Sequence, residues 1–328
     1  MNVLILTEGT SVTGYGHASR MKSVAQAARH LGWSVQIAGN LDSKGLDIFS
    51  GFETKTIPWQ SEVNETLALC RSSDLVVLDS YLASEETYLQ IKQALNGQTK
   101  MLCVDDYGRI NYPDCSIVNY SIGATPALYT RQTGQKEYFL GPQYALLSEA
   151  FWHFTPAPRQ PSQSALRVTV TFGGADAKNL GVRTSNLLSE YFPELEIHAI
   201  FPNTQALENP DRHPGILNHA FLTQEELRDL FCASDFCVTA GGHTTYEIGC
   251  TATPMIAIKS AENQDINIAG WKKAGIPVID SIGENYSQDL KQQVSKFFDT
   301  KFRSIISAKA KALVRPDGSL NLLKKIIQ

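Results

Sequence analysis

Three stretches of the 328-residue chain join glycines to residue types that bind anions or move protons. The first is Gly14-Tyr15-Gly16-His17-Ala18-Ser19-Arg20. Gly14 and Gly16 let the backbone approach a ligand closely, and N–H groups at a helix start suit phosphate. His17 is an imidazole, which exchanges its proton near neutral pH, and Arg20 is a cation one turn further on. The same residues also suit a tight turn carrying a surface histidine. The second stretch, Thr171-Phe172-Gly173-Gly174-Ala175-Asp176-Ala177-Lys178-Asn179, repeats this logic: strand, glycine pair, polar residues, helix. It could make a nest for anionic oxygens through Gly173 and Gly174. It could equally be a helix start capped by Asp176. The third is Thr239-Ala240-Gly241-Gly242-His243-Thr244-Thr245-Tyr246-Glu247. Gly242, His243, Thr244 and Thr245 offer a diphosphate donors at a helix start, and Glu247 could accept hydrogen bonds from ribose hydroxyls. A threonine cap with an early-turn glutamate would read the same way.

Polar groups also end several strand-like runs. Asp79-Ser80-Tyr81 and Asp105-Asp106-Tyr107 place carboxylates near the face that carries the His17 loop, although Asp at such points often only caps or turns. Glu262-Asn263-Gln264 follows an apolar run and could hydrogen-bond sugar hydroxyl or amide groups; by composition it is a loop. No His-Glu-x-x-His or similar spacing is present, so no metal or other cofactor is expected. A Gly-x-Ser-x-Gly elbow is absent, which speaks against serine-hydrolase chemistry. Ser19 stands where a dinucleotide fingerprint needs its third glycine, which speaks against a nicotinamide-dependent oxidoreductase.

The elements that must hold these groups alternate between strand and helix. Val3–Leu6 is a short apolar run of the kind that makes a buried parallel strand, and Met21–Leu31, rich in alanine, predicts a helix ended by Gly32. Strands are predicted at Ser34–Ala38, Asp74–Asp79, Lys100–Asp105 and Ser116–Asn119, with an amphipathic helix over Glu85–Leu95. The polar, proline-rich run from Phe154 to Ser164 breaks every period and predicts an interdomain linker, taken as 154–165. Alternation then resumes, with strands at Arg167–Phe172, Leu195–Phe201, Phe236–Thr239 and Pro254–Ile258 and helices at Asn179–Tyr191 and Thr223–Ser234. This pattern means βαβ units and parallel sheets. The expected organisation is one doubly wound, Rossmann-like domain over 1–153 and a second over 166–328.

Composition narrows the class. The hydrophobic fraction of 43% and charged fraction of 19% are those of a globular protein, and the length favours two domains. A net charge of -4 speaks against nucleic acid as the main partner. No apolar run reaches the ~18 residues of a membrane span. Met1-Asn2-Val3-Leu4 enters a strand without a basic leader, so no signal peptide is expected and the cytoplasm is the expected compartment. The six cysteines contain no Cys-x-x-Cys pair and read as reduced core thiols.

Taken together, the order and content of these motifs resemble the UDP-sugar hydrolases of the PseG and SpsG type, of pseudaminic acid and spore-coat polysaccharide biosynthesis. Alongside the stretches above, the resemblance rests on Val104-Asp105-Asp106 and on Leu140-Gly141-Pro142-Gln143-Tyr144-Ala145-Leu146-Leu147, and it runs to about residue 280. It implies an α/β GT-B fold, two doubly wound Rossmann-like domains facing each other across a cleft, the first bearing the catalytic loop and the second binding the nucleotide, with a terminal helix over Leu320–Gln328 crossing back. It also implies a small-molecule partner, a UDP-linked 2,4-diacetamido-2,4,6-trideoxy sugar. Water would attack its anomeric carbon with inversion and UDP would leave. The family's catalytic histidine falls on His17, its phosphate loop on Gly242 to Thr245, and the ribose glutamate of related transferases on Glu247. Asp79 or Tyr81 would orient the imidazole or the sugar. Three positions depart from the family pattern: His243 replaces the usual serine, Ser80 a common histidine and Ala177 a proline. Two alternatives share these motifs, a GT-B glycosyltransferase building a surface glycan and a non-catalytic nucleotide-sugar-binding protein.

Overall fold

The computed structural model describes residues 1–154, 165–174, 176, 178–201, 215–220 and 222–328. It divides into two compact units, Met1–Glu149 with Asp317–Gln328, and Ala150–Pro316. The linker expected over 154–165 lies outside the described residues except at Phe154 and Ala165, as do Ala175 and Ala177.

The first unit is built on seven strands, β1 (Asn2–Gly9), β2 (Ser34–Leu41), β3 (Glu53–Thr56), β4 (Leu75–Leu78), β5 (Lys100–Val104), β6 (Cys115–Asn119) and β7 (Lys136–Leu140). They form one sheet in the order β3-β2-β1-β4-β5-β6-β7, with every pair parallel. Helices α1 (Gly16–His30), α2 (Ser43–Ile48), α3 (Val63–Arg71) and α4 (Glu85–Ala94) connect these strands, and α5 (Glu149–Trp152) follows them. A central parallel strand is covered on both faces, which is why β1 and β4 are near-continuous apolar runs, buried from Val3 to Leu6 and from Leu75 to Leu78. Leu4, Leu6, Val76 and Leu78 share one core with Tyr88 of α4 and Met101 of β5.

The second unit repeats the plan with six strands, β8 (Arg167–Thr171), β9 (Glu196–Phe201), β10 (Leu217–Ala220), β11 (Phe236–Ala240), β12 (Met255–Ile258) and β13 (Val278–Ile279). Their order is β10-β9-β8-β11-β12-β13, again all parallel. Its helices are α6 (Leu180–Tyr191), α7 (Gln224–Ala233), α8 (Thr244–Cys250), α9 (Asp265–Lys273), α10 (Tyr286–Ser295) and α11 (Thr300–Leu313). The last helix, α12 (Gly318–Ile326), belongs to the first unit.

The seat of α12 gives the stretch Gly141–Leu147 a structural role. Ser319 Oγ donates to the Leu147 carbonyl at 3.1 Å, Asn321 Nδ2 to the Gln143 carbonyl at 3.2 Å and Lys325 Nζ to Tyr144 Oη at 2.8 Å. Gly318 lies so close to this stretch that a Cβ there would sit 2.3 Å from the Ala145 oxygen. All six cysteines are free thiols, five of them buried. Among the described residues no helix is long and apolar enough to cross a membrane.

In both sheets the chain reverses its direction of travel beside the first strand, between β1 and β4 and between β8 and β11. Open α/β sheets bind ligands beyond the carboxyl ends of their strands at such switch points. The glycine-bearing stretches emerge there: Gly14–Arg20 after β1, Asp79–Tyr81 after β4, Gly173–Gly174 after β8 and Gly241–Glu247 after β11.

Candidate functional site

In the first unit, Gly14 makes the turn that starts the site. Its φ of 77° lies in the left-handed region, and its N–H returns to the Thr10 carbonyl at 2.8 Å. Asp42, the cap of α2, ties down the loop by accepting from Ser11 N at 2.8 Å and Tyr15 Oη at 3.0 Å. Helix α1 then begins at Gly16, earlier than the predicted Met21, with no side-chain cap. His17 and Arg20 therefore stand on the first turn of a helix, on its buried side, rather than in a loop, while Gly16 is exposed.

Those two side chains meet the end of β4. His17 Nδ1 lies 2.8 Å from Asp79 Oδ1. Arg20 holds both oxygens of the same carboxylate, Nε to Oδ2 at 2.5 Å and Nη2 to Oδ1 at 2.6 Å. Its Nη1 reaches both oxygens of Asp106, at 2.9 and 3.0 Å, and Tyr120 Oη at 3.2 Å. Tyr81 packs edge-on against the His17 ring, with centroids 4.5 Å apart and planes at 88°, and its hydroxyl donates to Asp106. Asp79 thus orients the imidazole, and Tyr81 supports the ring with its hydroxyl directed to Asp106.

The charges set the ionisation of the two acids and the arginine. Burial pushes the Asp79 carboxyl up, but the Arg20 guanidinium overrides it and holds the group well below the usual carboxylate range. Asp106 is lowered in the same way, burial being outweighed by Arg20. Burial opposes the Arg20 charge, yet Asp106 and Asp79 together raise its pKa well above the ordinary arginine value. An ionised Asp79 is an acceptor only, so the 2.8 Å contact, shorter than the 3.2 Å approach of Arg20 Nη2 to the same nitrogen, calls for a proton on His17 Nδ1; in the neutral ring Nε2 then carries the lone pair. A carboxylate that fixes the tautomer of a neutral imidazole is what a general base needs.

Glu8, at the end of β1, also enters this centre, and no motif had singled it out. It is 1% exposed, and its Oε1 lies 3.8 Å from His17 Nε2. The sequence signal was a single acid closing an apolar strand beside a switch point. Asp105, by contrast, is a turn residue: it accepts from Gly108 N at 2.6 Å, Arg109 N at 3.1 Å, and the hydroxyls of Tyr112 at 2.9 Å and Tyr129 at 2.6 Å.

In the second unit, the loops after β8, β11 and β12 come together. Lys178 Nζ donates to the Ser260 carbonyl at 2.8 Å, and a Cβ on Gly242 would lie 3.7 Å from Gln264 Nε2. Gln264 is half-buried and its Oε1 accepts from Ser260 N at 2.8 Å and Ser260 Oγ at 3.1 Å, while Glu262 and Asn263 are exposed. Gly173 and Gly174 are exposed, and Gly242, His243 and Thr244 are half-buried. Thr245 is wholly buried and braces the turn: its hydroxyl donates to the Gly242 carbonyl at 2.7 Å and accepts from Trp271 Nε1 at 3.0 Å. The cap position of α6 is Asn179 rather than Asp176, whose carboxylate reaches forward to accept from Leu180 N at 2.8 Å and Gly181 N at 2.9 Å. Glu247 is buried in α8, and burial pushes its carboxyl up to about 7 against a hydrogen bond with Thr244 that lowers it. Among the described residues, no group of His, Cys, Asp and Glu is placed to hold a metal ion.

Two Rossmann-like α/β domains in this order make the GT-B fold, the architecture shared with the solved structures that superpose on the chain. These include MurG of Acinetobacter baumannii, with a TM-score of 0.70 at 13% identity over 99% of each chain. The spinosyn rhamnosyltransferase SpnG, complexed with spinosyn aglycone, gives 0.66 at 15% identity over 99% of this chain and all of that one. S. aureus MnaA in a co-structure with UDP gives 0.65 at 13% identity, over 99% and 95% of the two chains. In sequence, a Helicobacter pylori protein named pseudaminic acid cytidylyltransferase and UDP-2,4-diacetamido-2,4,6-trideoxy-beta-L-altropyranose hydrolase is 21% identical over 278 residues. The match takes in 84% of this chain and 48% of that protein, so the chain spans about half the length of its curated relative. No protein-family model matches.

Proposed function

We propose that the chain is a nucleotide-sugar hydrolase that releases UDP from a UDP-linked 2,4-diacetamido-2,4,6-trideoxy sugar. The observation that carries this reading is the His17–Asp79 hydrogen bond at the switch point of the first sheet, which in the neutral ring leaves Nε2 to accept a proton. The name of the Helicobacter pylori relative supports the substrate class. In the reaction, a water oxygen bonds to the anomeric carbon and its proton passes to His17 Nε2. The bond from that carbon to the diphosphate oxygen breaks, and its electron pair leaves with UDP. The first unit supplies the base. In the second, Gly173, Gly174, Gly242, His243 and Thr244 line the diphosphate site, Thr245 shapes its turn, Glu247 takes the ribose, and Glu262, Asn263 and Gln264 hold the remaining polar groups. Backbone N–H groups at the start of α8 offset the charge of the departing diphosphate.

A second reading is a glycosyltransferase, in which an alcohol replaces the water; the glycosyltransferases among the superposing structures favour it. The two separate in one assay. The protein is incubated with UDP-2,4-diacetamido-2,4,6-trideoxy-β-L-altropyranose and with UDP-N-acetylglucosamine, without any acceptor, and UDP and free sugar are followed by NMR. Release of both supports the hydrolase; release that requires a glycan or lipid acceptor overturns it. His17→Asn abolishes turnover while UDP still binds, and normal turnover by this variant removes His17 as the base.

A further inference from the structure

Glu8 is a buried acid, 1% exposed, that faces only neutral donors and one imidazole nitrogen. Its Oε2 accepts from Ser80 Oγ at 2.5 Å and Gln60 Nε2 at 3.0 Å, and its Oε1 from Tyr81 N at 2.9 Å. All of these donors are neutral. Among the described residues, the one ionisable nitrogen within 4.0 Å is His17 Nε2, at 3.8 Å from Oε1. Burying a carboxylate is costly unless a positive charge or strong donors face it. Such a charge arises at that nitrogen when His17 takes up a proton.

We propose that Glu8 is a positioning residue of the reacting centre, which stabilises the His17 imidazolium at Nε2 while Asp79 holds it at Nδ1. The inference rests on the reading of His17 as the base. At 3.8 Å the two groups are too far apart for a hydrogen bond. Transfer of the water proton makes Nε2 a donor, and a movement of about 1 Å then closes a charge-assisted bond. Glu8 neither gives nor takes a proton in this step. The proton stays on Nε2 until it returns to solvent, and the water oxygen stays on the sugar. The imidazolium therefore lies between two carboxylates, each on its own ring nitrogen, with Glu8 on β1 and Asp79 directly after β4, the two strands flanking the switch point.

A merely structural Glu8 would pin Ser80 and Tyr81 and nothing more, so the test must read the base itself. Glu8→Gln removes the charge but keeps the size. It is expected to lower kcat roughly 10- to 100-fold on the trideoxy-sugar nucleotide, with KM within about twofold. Glu8→Asp, which keeps the charge, recovers part of that loss and serves where the glutamine variant folds poorly. In the His17→Asn background Glu8→Gln adds no further loss, because the two act as one unit. A second readout needs no turnover: in protein labelled with ¹⁵N in its histidine rings, Glu8→Gln shifts the Nε2 resonance of His17. An unmoved resonance overturns the inference, as does a wild-type kcat in Glu8→Gln or full additivity with His17→Asn. Normal turnover by His17→Asn would instead overturn the assignment of the base, so the two failures are distinguishable.

Discussion

Arg20 grips Asp79 through two nitrogens, at 2.5 and 2.6 Å, and the oxygen bonded by Nη2 is also the one that meets His17 Nδ1. One carboxylate therefore serves the fold and the imidazole at once. Arg20 is 6% exposed and Asp79 fully buried, and the remaining arginine nitrogen holds Asp106. Removing the cation leaves the buried Asp79 and the half-buried Asp106 carboxylates without their shared partner, and breaking a buried pair from one side costs about 3–5 kcal/mol. Arg20→Met is expected to lose that much in urea denaturation at pH 7. Arg20→Lys recovers only part, because an ammonium cannot form the two-pronged contact. The pH dependence has a definite sign. Both carboxyls titrate below their unfolded values, so their contribution is complete above about pH 4 and is lost as pH falls through the range below it. An Arg20→Met protein with wild-type stability at pH 7 would refute this account.

Asp79→Asn tests the tautomer. An amide can offer His17 Nδ1 a donor, which moves the ring proton to Nε2 and removes the base. Turnover per folded molecule is expected to drop roughly 10²- to 10⁴-fold, with UDP affinity unchanged by calorimetry. Circular dichroism and the unfolding midpoint must be read beside it, since Arg20 also loses its partner. A folded variant with near-normal turnover would mean that Asp79 does not set the ring.

Gly318→Ala tests the seat of α12. The added carbon would meet backbone, the oxygen and nitrogen of Ala145 at 2.3 and 2.6 Å, which cannot swing aside as a side chain does. Overpacking of this kind typically costs 1–3 kcal/mol. The melting temperature is expected to fall, with faster amide exchange in α12 and in 141–147. Unchanged exchange there would show that the helix is seated some other way.

How much of this could be read in the chain depends on how far each interaction reaches along it. The inner strands announced themselves, because a strand covered on both faces must be apolar throughout, as in Leu75-Val76-Val77-Leu78. The four strands that apolar runs did not reveal, β3, β7, β10 and β13, are the four sheet edges. An edge is paired on one side only, so Glu53-Thr54-Lys55-Thr56 can be almost wholly polar and still be a strand through its pairing with β2. The start of α1 was misplaced because the glycines looked like loop, whereas a helix's first N–H groups need no helical partner and accept Gly16 there. His17, Arg20, Asp79 and Tyr81 were legible as candidates by motif, but the link between them was not. Glu8 carried only the signal of an acid closing an apolar strand, because its partners Gln60 and Ser80 lie 52 and 72 residues away.

Glu247 gives the second unit its own pH dependence. Burial raises its carboxyl from the ordinary 4.5 to about 7, so the folded state binds that proton more tightly than the unfolded chain does. Its contribution to stability is complete below pH 4.5 and is lost as pH rises from there through 7. The difference amounts to roughly 3 kcal/mol. Glu247→Gln has no proton to lose, so it is expected to match the wild type in urea denaturation at pH 4 and to exceed it at pH 8. If Glu247 accepts the ribose hydroxyls, UDP favours the ionised form and pulls in the opposite direction. UDP affinity then rises between pH 6 and 8 in the wild type and stays flat in Glu247→Gln. In Glu247→Ala it falls roughly tenfold or more. A stability difference that does not change with pH would remove the raised carboxyl, and a UDP affinity indifferent to Glu247→Ala would remove its ribose role.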